Sequence, residues 1–157
     1  MRLWRLAKAS RPHASLQDEA EGARRVGGRW NRSGTPIIYA TYHIGTAALE
    51  VLVHLDWTAA PAHVLLAIDV PDDASVETVD AARLPADWNV YPAPAYLADI
   101  GDPWIARGSS LLLDVPSVAS PYERNVLINQ NHPDIARCRL STEGTYEFDG
   151  RLNPRMP

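Results

Sequence analysis

The chain has 157 residues, of which 46% are hydrophobic and 22% charged, and its formal net charge is −4. This composition is typical of a globular domain with a packed core. The negative charge argues against nucleic acid as the main partner, because phosphate backbones bind basic surfaces. Cys138 has no second cysteine to pair with, and no apolar run reaches the length of a membrane span. We therefore expect a single cytoplasmic domain over residues 1–157 that contacts neither nucleic acid nor a membrane.

The chain before residue 43 is predicted to form two strands around an irregular segment. The sequence RLWRLA at 2–7 alternates between polar and apolar residues, as a short strand does. Residues 8–28 are polar and contain Pro and Gly, which indicates an irregular segment with room for one short helix. The sequence PIIYATY at 36–42 is β-branched and aromatic and predicts a strand.

A helix is predicted next, because the period of the apolar residues changes. The apolar stripe that indicates it consists of Ile44, Ala47, Ala48, Val51, Leu52 and Leu55. Thr46, Glu50 and His54 are spaced by four and should form a polar line beside that stripe. A carboxylate at Glu50 is either a functional group or a solvated flank residue that pairs with His54 one turn later.

The rest of the chain is predicted to contain more strand than helix. The expected elements are strands at 64–70, 74–80 and 110–117, a loop over 81–104 with a short helix near 93–99, an apolar segment at 124–129 of ambiguous type, and two final strands at 136–142 and 145–149. Strands and helices do not alternate as they do in parallel α/β folds. The pattern therefore predicts an α+β fold in one domain.

Several classes of site are excluded by the motifs that the sequence lacks. The five histidines are scattered and have no spacing typical of a zinc site, so we expect no metal. Phosphate-binding loops of the GxxxxGK[ST] and GxGxxG types are missing, and so is the nucleophile elbow GxSxG.

Three further residues stand out, and each has two interpretations. Arg29 follows two glycines, which allow close approach of a ligand, but it is equally a surface arginine. Tyr39 ends an apolar run and is either a core residue or a ring that stacks on a flat ligand. Ser117 follows a strand and a proline, where a turn serine is common. Taken singly, these residues leave the function open.

Five short motifs together resemble one protein family, and they occur in its order. They are GGRWNRSGTPIIYAT, AALEVLVH, LLLDVPSV, ERNVLINQNHPD and FDGRL, spread over almost the whole chain. In this order they resemble the RES-domain family, the toxins of Xre–RES toxin–antitoxin systems. The resemblance implies a compact α+β domain whose curved β-sheet core is similar to the ADP-ribosyltransferase fold.

The resemblance also implies a substrate, NAD⁺, and a set of site residues. By position, Arg29, Glu50 and Ser117 match the family's catalytic residues, and together with Tyr39 they are expected to bind NAD⁺. An arginine fork suits the diphosphate, an aromatic ring suits the nicotinamide, and a carboxylate suits the oxocarbenium-like transition state. Ser117 would orient the carboxylate or the ribose through its hydroxyl group.

Three functions remain open after the resemblance is considered. The first is a toxin that cleaves the nicotinamide–ribose bond of NAD⁺, as a glycohydrolase or a phosphorylase. The second is an ADP-ribosyltransferase that modifies a cellular protein, and the third is an inactive binding module with the same fold. The resemblance implies a cognate Xre-family antitoxin as partner, and phosphate or a protein as the possible acceptor.

Overall fold

Seven strands form one sheet in the computed structural model, which describes residues 1–59 and 61–153. In chain order they are β1 (Arg2–Lys8), β2 (Ile37–Thr41), β3 (His63–Asp69), β4 (Val76–Thr78), β5 (Leu112–Pro116), β6 (Arg124–Asn129) and β7 (Arg139–Tyr146). Their order across the sheet is β4-β5-β6-β2-β1-β3-β7. All neighbours are antiparallel except β4 and β5, which are parallel.

The sheet has two halves, β4-β5-β6-β2 and β1-β3-β7, which meet at a narrow junction. β1 pairs with β3 along its whole length, but in the described part of the chain it pairs with β2 only through Trp4 and Thr41. Beside that pair, the Tyr39 carbonyl accepts a hydrogen bond of 2.8 Å from the Arg5 guanidinium rather than from the β1 backbone. We call this junction of Trp4, Arg5, Tyr39 and Thr41 the seam. Because the backbone pairing at the seam is so short, the two halves of the sheet separate on either side of it.

Three α-helices connect the strands: α1 (Leu16–Val26), α2 (Ile44–Leu52) and α3 (Ala98–Arg107). A capping box starts α1, since the Ser15 hydroxyl accepts from the Asp18 amide and the Asp18 carboxylate accepts from the Ser15 amide. A 3-10 turn at Ala95–Leu97 leads into α3, which ends at Gly108 in the left-handed conformation with φ 60°.

The central strands β2 and β6 are buried on both faces, because helices cover each side of them. Alternate residues of a strand point to opposite faces. Accordingly, Ile38 and Ile128 pack in a cluster with Ala20 of α1, whereas their chain neighbours Ile37 and Leu127 pack in a second cluster. The second cluster contains two buried tryptophans and residues of α3.

The backbone of the glycine-rich turn before β2 lies directly against α3. A Cβ atom added at Gly101 of α3 would lie 1.9 Å from the carbonyl oxygen of Trp30. Trp30 itself is only 1% exposed. This close packing fixes the position of its neighbour Arg29.

Most of the predicted elements are confirmed, and three predictions are corrected. The strands at 2–7, 36–42, 64–70, 74–80 and 110–117 are present with small shifts at their ends, the ambiguous segment at 124–129 is a strand, and the α+β class is confirmed. The helix predicted near 93–99 is instead a 3-10 turn followed by α3. The segment at 8–28 contains an eleven-residue helix.

The third correction concerns the two strands predicted at the end of the chain, which are one strand, β7. A bulge lets it continue, because Leu65 lies opposite Gly144 and Leu66 lies opposite Thr142, so Glu143 is the extra residue. The predicted domain bounds of 1–157 extend to residues 154–157, which lie outside the described residues. Within the described residues, none of the helices is long and apolar enough to cross a membrane.

Candidate active site

A large cleft opens at the seam between the two halves of the sheet. Its volume is about 1550 Å³, which exceeds the roughly 300–1,000 Å³ of pockets for drug-sized ligands and suits a dinucleotide. The residues that line it include Trp4, Arg5, His13, Glu19, Arg29, Tyr39, Thr41, Glu50, Tyr91 and Asn125. Three of the four residues predicted to bind NAD⁺ therefore lie in one cleft.

Glu50 is held in the cleft by two hydrogen bonds to the same carboxylate oxygen. The Ser117 hydroxyl donates to Oε1 at 2.7 Å, and the Asn125 side-chain amide donates to the same atom at 2.6 Å. Ser117 directly follows β5 and Asn125 lies in β6, so two separate parts of the chain fix the carboxylate that α2 carries. The other oxygen, Oε2, has no hydrogen-bond partner within residues 1–59 and 61–153, and it is available to a ligand.

Ser117 contacts Glu50 from outside the large cleft. It is 4% exposed and lines a separate cavity of about 330 Å³ rather than the large cleft. Its oxygen also accepts a hydrogen bond of 3.0 Å from the Ser120 amide. Because the hydroxyl has one hydrogen, this arrangement directs that hydrogen to Glu50. The geometry fits the predicted role of orienting the glutamate, and a direct contact of Ser117 with the ribose is the less suited of the two predicted roles.

Arg29 lines the cleft and also fixes a loop beside it. Its Nη1 donates to the Trp88 carbonyl at 2.7 Å, and both terminal nitrogens lie within 3.3 Å of the Val90 carbonyl. Burial lowers the pKa of Arg29 from its ordinary value, and the negative charge of Glu50 opposes that shift. The guanidinium and the carboxylate thus interact electrostatically across the cleft, with the cation also tied to the loop.

Tyr39 is oriented by the turn that carries Arg29. Its hydroxyl donates to Asn31 Oδ1 at 2.7 Å and accepts from the Trp30 amide at 3.1 Å. Burial raises the pKa of the Tyr39 phenol, so the ring stays neutral at physiological pH. Gly28 leaves room for this hydroxyl, since a Cβ there would lie 2.6 Å from it. Gly28 is therefore required by Tyr39, which was not foreseen from the sequence.

A second cluster of polar side chains also lines the cleft. The buried Glu19 of α1 accepts from Arg5 Nε at 2.7 Å, and its other oxygen lies 2.6 Å from His13 Nδ1. The second ring nitrogen of His13 lies 2.9 Å from the Lys8 carbonyl. This cluster joins α1 to β1, and sequence inspection missed it because its members belong to separate elements.

Two interpretations made from the sequence are wrong in this region. Glu50 does not pair with His54 in the described chain; the His54 ring instead lies 6.0 Å from the ring of Tyr91. One of the residues that Glu50 contacts instead is Asn125, a strand residue of β6. Thr46, predicted to lie on a polar line, is only 4% exposed.

These features define a class of protein: an α+β domain whose sheet is divided by a cleft, with a glutamate held in that cleft by hydrogen bonds. Residues 2–149 match the RES domain family, which is nearly the whole chain. The chain belongs to this family, as its motifs predicted, and it is a RES-domain toxin.

Several relatives are similar over most of their length. A protein of Sphingobium sp. named Prs ADP-ribosylating toxin is 36% identical over 152 residues, which cover 95% of this chain and 94% of the relative. A protein of Yersinia enterocolitica named Toxin Res is 37% identical over 133 residues, covering 83% of this chain and 87% of the relative.

A solved structure shares the fold. The crystal structure of the MbcT–MbcA toxin–antitoxin complex of M. tuberculosis contains a chain that superposes with a TM-score of 0.69 at 21% identity. The match covers 96% of this chain and 85% of that one. The similarity confirms the predicted α+β domain.

Proposed function

We propose that the chain is an enzyme that cleaves the bond between nicotinamide and ribose in NAD⁺, as a glycohydrolase or a phosphorylase. The observation that carries this proposal is the carboxylate of Glu50 in a cleft of dinucleotide size, fixed through Oε1 and without a hydrogen-bond partner at Oε2 in the part of the chain that the structure describes. The membership of the RES domain family supports it.

The chemistry of NAD⁺ explains why a fixed carboxylate is suitable. When the bond between ribose C1′ and the nicotinamide nitrogen breaks, its electron pair neutralises the pyridinium, and positive charge develops on the ribose. A preorganised negative charge lowers the energy of that transition state more than the energy of bound substrate. Water or phosphate then adds to C1′ and releases a proton, which yields ADP-ribose or its 1″-phosphate.

The other cleft residues are assigned to the remaining parts of the substrate. Arg29 is the cation we assign to the diphosphate, and Tyr39 is the ring we assign to the nicotinamide. Engagement of a phosphate by Arg29 competes with the carbonyls of Trp88 and Val90, so binding would loosen the loop at 88–90. No metal takes part in this proposal.

A second candidate is transfer of ADP-ribose to a protein. The relative of Sphingobium sp. carries ADP-ribosylation in its name and matches 95% of this chain. The same carboxylate would serve, since both reactions break the same bond and differ in the acceptor that attacks C1′. The acceptor would enter at the open side of the cleft.

We also propose an antitoxin partner that covers the cleft, of the Xre family that the motif resemblance implies. The solved structure with the same fold is a toxin–antitoxin complex. Apolar residues at the mouth of the cleft are unusually exposed: Val26 by 83%, Val53 by 58% and Tyr91 by 79%. Exposed apolar and aromatic side chains around a cleft favour a protein interface.

The segment 88–104 contains four aromatic residues, Trp88, Tyr91, Tyr96 and Trp104, and most of them are not part of this exposed surface. Trp104 is only 1% exposed, and its indole N–H donates to the Ser110 hydroxyl at 2.8 Å. Trp88 and Tyr96 pack against the second core cluster, and Tyr91 alone of the four is strongly exposed.

Nicotinamide release from NAD⁺ tests the proposal directly. We expect the purified chain to release nicotinamide, measured by chromatography, with and without phosphate and in the presence of a bacterial lysate. Stimulation by phosphate identifies phosphorolysis, and labelled ADP-ribose on a lysate protein identifies transfer. Absence of release under all three conditions would reject the enzyme and favour the inactive binding module.

A further inference from the structure

Asn125 contacts the proposed catalytic carboxylate although it lies 75 residues away in sequence. It is the second residue of β6, directly opposite Thr41 of β2, next to the seam. Its side-chain amide donates to Glu50 Oε1 at 2.6 Å, which is short for a hydrogen bond from nitrogen. A charged acceptor explains the short distance, because charge-assisted hydrogen bonds are shorter than neutral ones.

The orientation of the Asn125 amide is fixed by its partner. If the amide were rotated by 180°, its oxygen would lie against the oxygen of Glu50, and no hydrogen would separate them. In the orientation observed, Oδ1 is buried and makes no hydrogen bond within the described residues. A buried acceptor without a partner lowers stability, so the folded chain loses stability by holding Asn125 in this way.

Within the described chain, the Asn125 side chain makes no hydrogen bond other than the one to Glu50. The Asn125 amide nitrogen has one partner there, Glu50, and the backbone of residue 125 pairs in the sheet as any residue would. An apolar side chain of the same size would leave no unpaired oxygen. Polar groups that are kept at a cost to stability are typical of functional sites.

Ser117 and Asn125 both donate to Oε1 of Glu50, and neither of them donates to Oε2. Ser117 donates to Oε1 from the residue after β5 and Asn125 donates to it from β6, and these two hydrogen bonds hold Oε1 away from a ligand. The remaining oxygen, Oε2, is thereby presented to the cleft.

We infer that Asn125 is a positioning residue that orients and holds the Glu50 carboxylate for reaction at the expense of stability. The inference rests on the proposed function, which assigns the reaction to Glu50. Asn125 acts through Glu50 and has no contact with substrate in this role.

Three variants test the inference in the full chain. Asn125→Leu removes the donor and the unpaired oxygen while keeping the volume. We expect kcat for NAD⁺ cleavage to fall about 10- to 100-fold, as misplacement of a catalytic group does, with KM changed little. The melting temperature should stay the same or rise, which a merely structural role of Asn125 would not produce.

Asn125→Asp keeps the shape and replaces the donor by a second carboxylate. Two carboxylates in contact share one proton, so the acid limb of the pH–rate profile should move to higher pH. Asn129→Leu is the matched control, since Asn129 is a buried asparagine of the same strand and face. Its Oδ1 accepts from the Asn131 amide at 2.8 Å, so this variant should melt at a lower temperature with kcat unchanged.

The outcomes separate this inference from the proposed function. Wild-type kcat and an unmoved pH profile in both Asn125 variants would overturn the inference while the function stands. A parallel fall of kcat and melting temperature in Asn125→Leu, with an unmoved profile in Asn125→Asp, would also overturn it. If the wild type arrests bacterial growth without cleaving NAD⁺, the proposed function fails. Loss of that arrest in folded Asn125→Leu would then still support the inference.

Discussion

Substitution of Glu50 by glutamine separates its catalytic role from its structural one. The glutamine carbonyl oxygen can accept from both Ser117 and Asn125, as Oε1 does in the wild type. The amide nitrogen replaces Oε2, which has no partner to lose in the described chain. The side chain should therefore stay in place, and only the negative charge is removed.

The two expected effects differ in size. Replacing charged by neutral acceptors weakens two hydrogen bonds, and the charge no longer has to be partly desolvated, so we expect a stability loss of about 1 kcal/mol. In a chain of this length that corresponds to roughly 2–4 °C in melting temperature. Loss of a preorganised transition-state charge costs about 2.7–4 kcal/mol, or about 10²- to 10³-fold in kcat.

The assay combines nicotinamide release, NAD⁺ affinity by calorimetric titration, and thermal melting. NAD⁺ affinity should fall much less than kcat, because the bound ground state lacks the full charge on the ribose. Glu147→Gln is the matched control, since it makes the same chemical change at an exposed residue outside the cleft. A folded Glu50→Gln variant that turns over NAD⁺ near the wild-type rate would refute the mechanism and return Glu50 to the role of a structural helix residue.

Three further predictions concern binding, packing and reactivity. Arg29→Lys should weaken NAD⁺ binding in calorimetric titration, because an ammonium cannot replace the guanidinium fork; unchanged affinity would reject the role. Gly101→Ala should lower the free energy of unfolding by on the order of 3 kcal/mol, because its Cβ would meet the Trp30 carbonyl. In the control Gly45→Ala the added Cβ meets no atom, so this variant should stabilise α2. Equal melting temperatures of the two variants would contradict this prediction. Burial raises the pKa of the Cys138 thiol to about 11, so its alkylation at pH 8 should be about 100-fold slower than that of free cysteine and should accelerate as pH rises toward 11. Rapid labelling of the folded chain at pH 8 would show that the thiol is exposed.

Elements whose structure is determined by neighbouring residues in the chain were predictable from the sequence. The strand at β2 and the helix at α2 follow from periods that a few neighbouring residues define. By contrast, α3 contains Pro103 and Gly101, which normally discourage a helix, and its stability comes from packing against the turn at Trp30. Tertiary contacts of this kind leave no periodic signal in the sequence.

The candidate site was only partly predictable, for the same physical reason. Arg29, Tyr39 and Glu50 belong to recognisable motifs near one another in the chain. Asn125 has its partner Glu50 75 residues away, so no spacing indicated the contact. The strand β6 was ambiguous because it is buried on both faces and therefore lacks alternation.

The seam has a consequence for how the chain opens. Each half of the sheet has continuous backbone pairing within it, but among the described residues the backbone pairing between the halves is limited to Trp4 and Thr41, with a side-chain hydrogen bond from Arg5 beside it. Local opening should therefore begin at the seam, where backbone pairing is weakest, while one core cluster that contains both Leu3 and Ile38 still joins the two halves. A ligand or antitoxin that contacts both walls of the cleft would act as a clamp across the two halves. Its binding would slow amide hydrogen exchange most strongly in β1 and β2, the strands on either side of the opening.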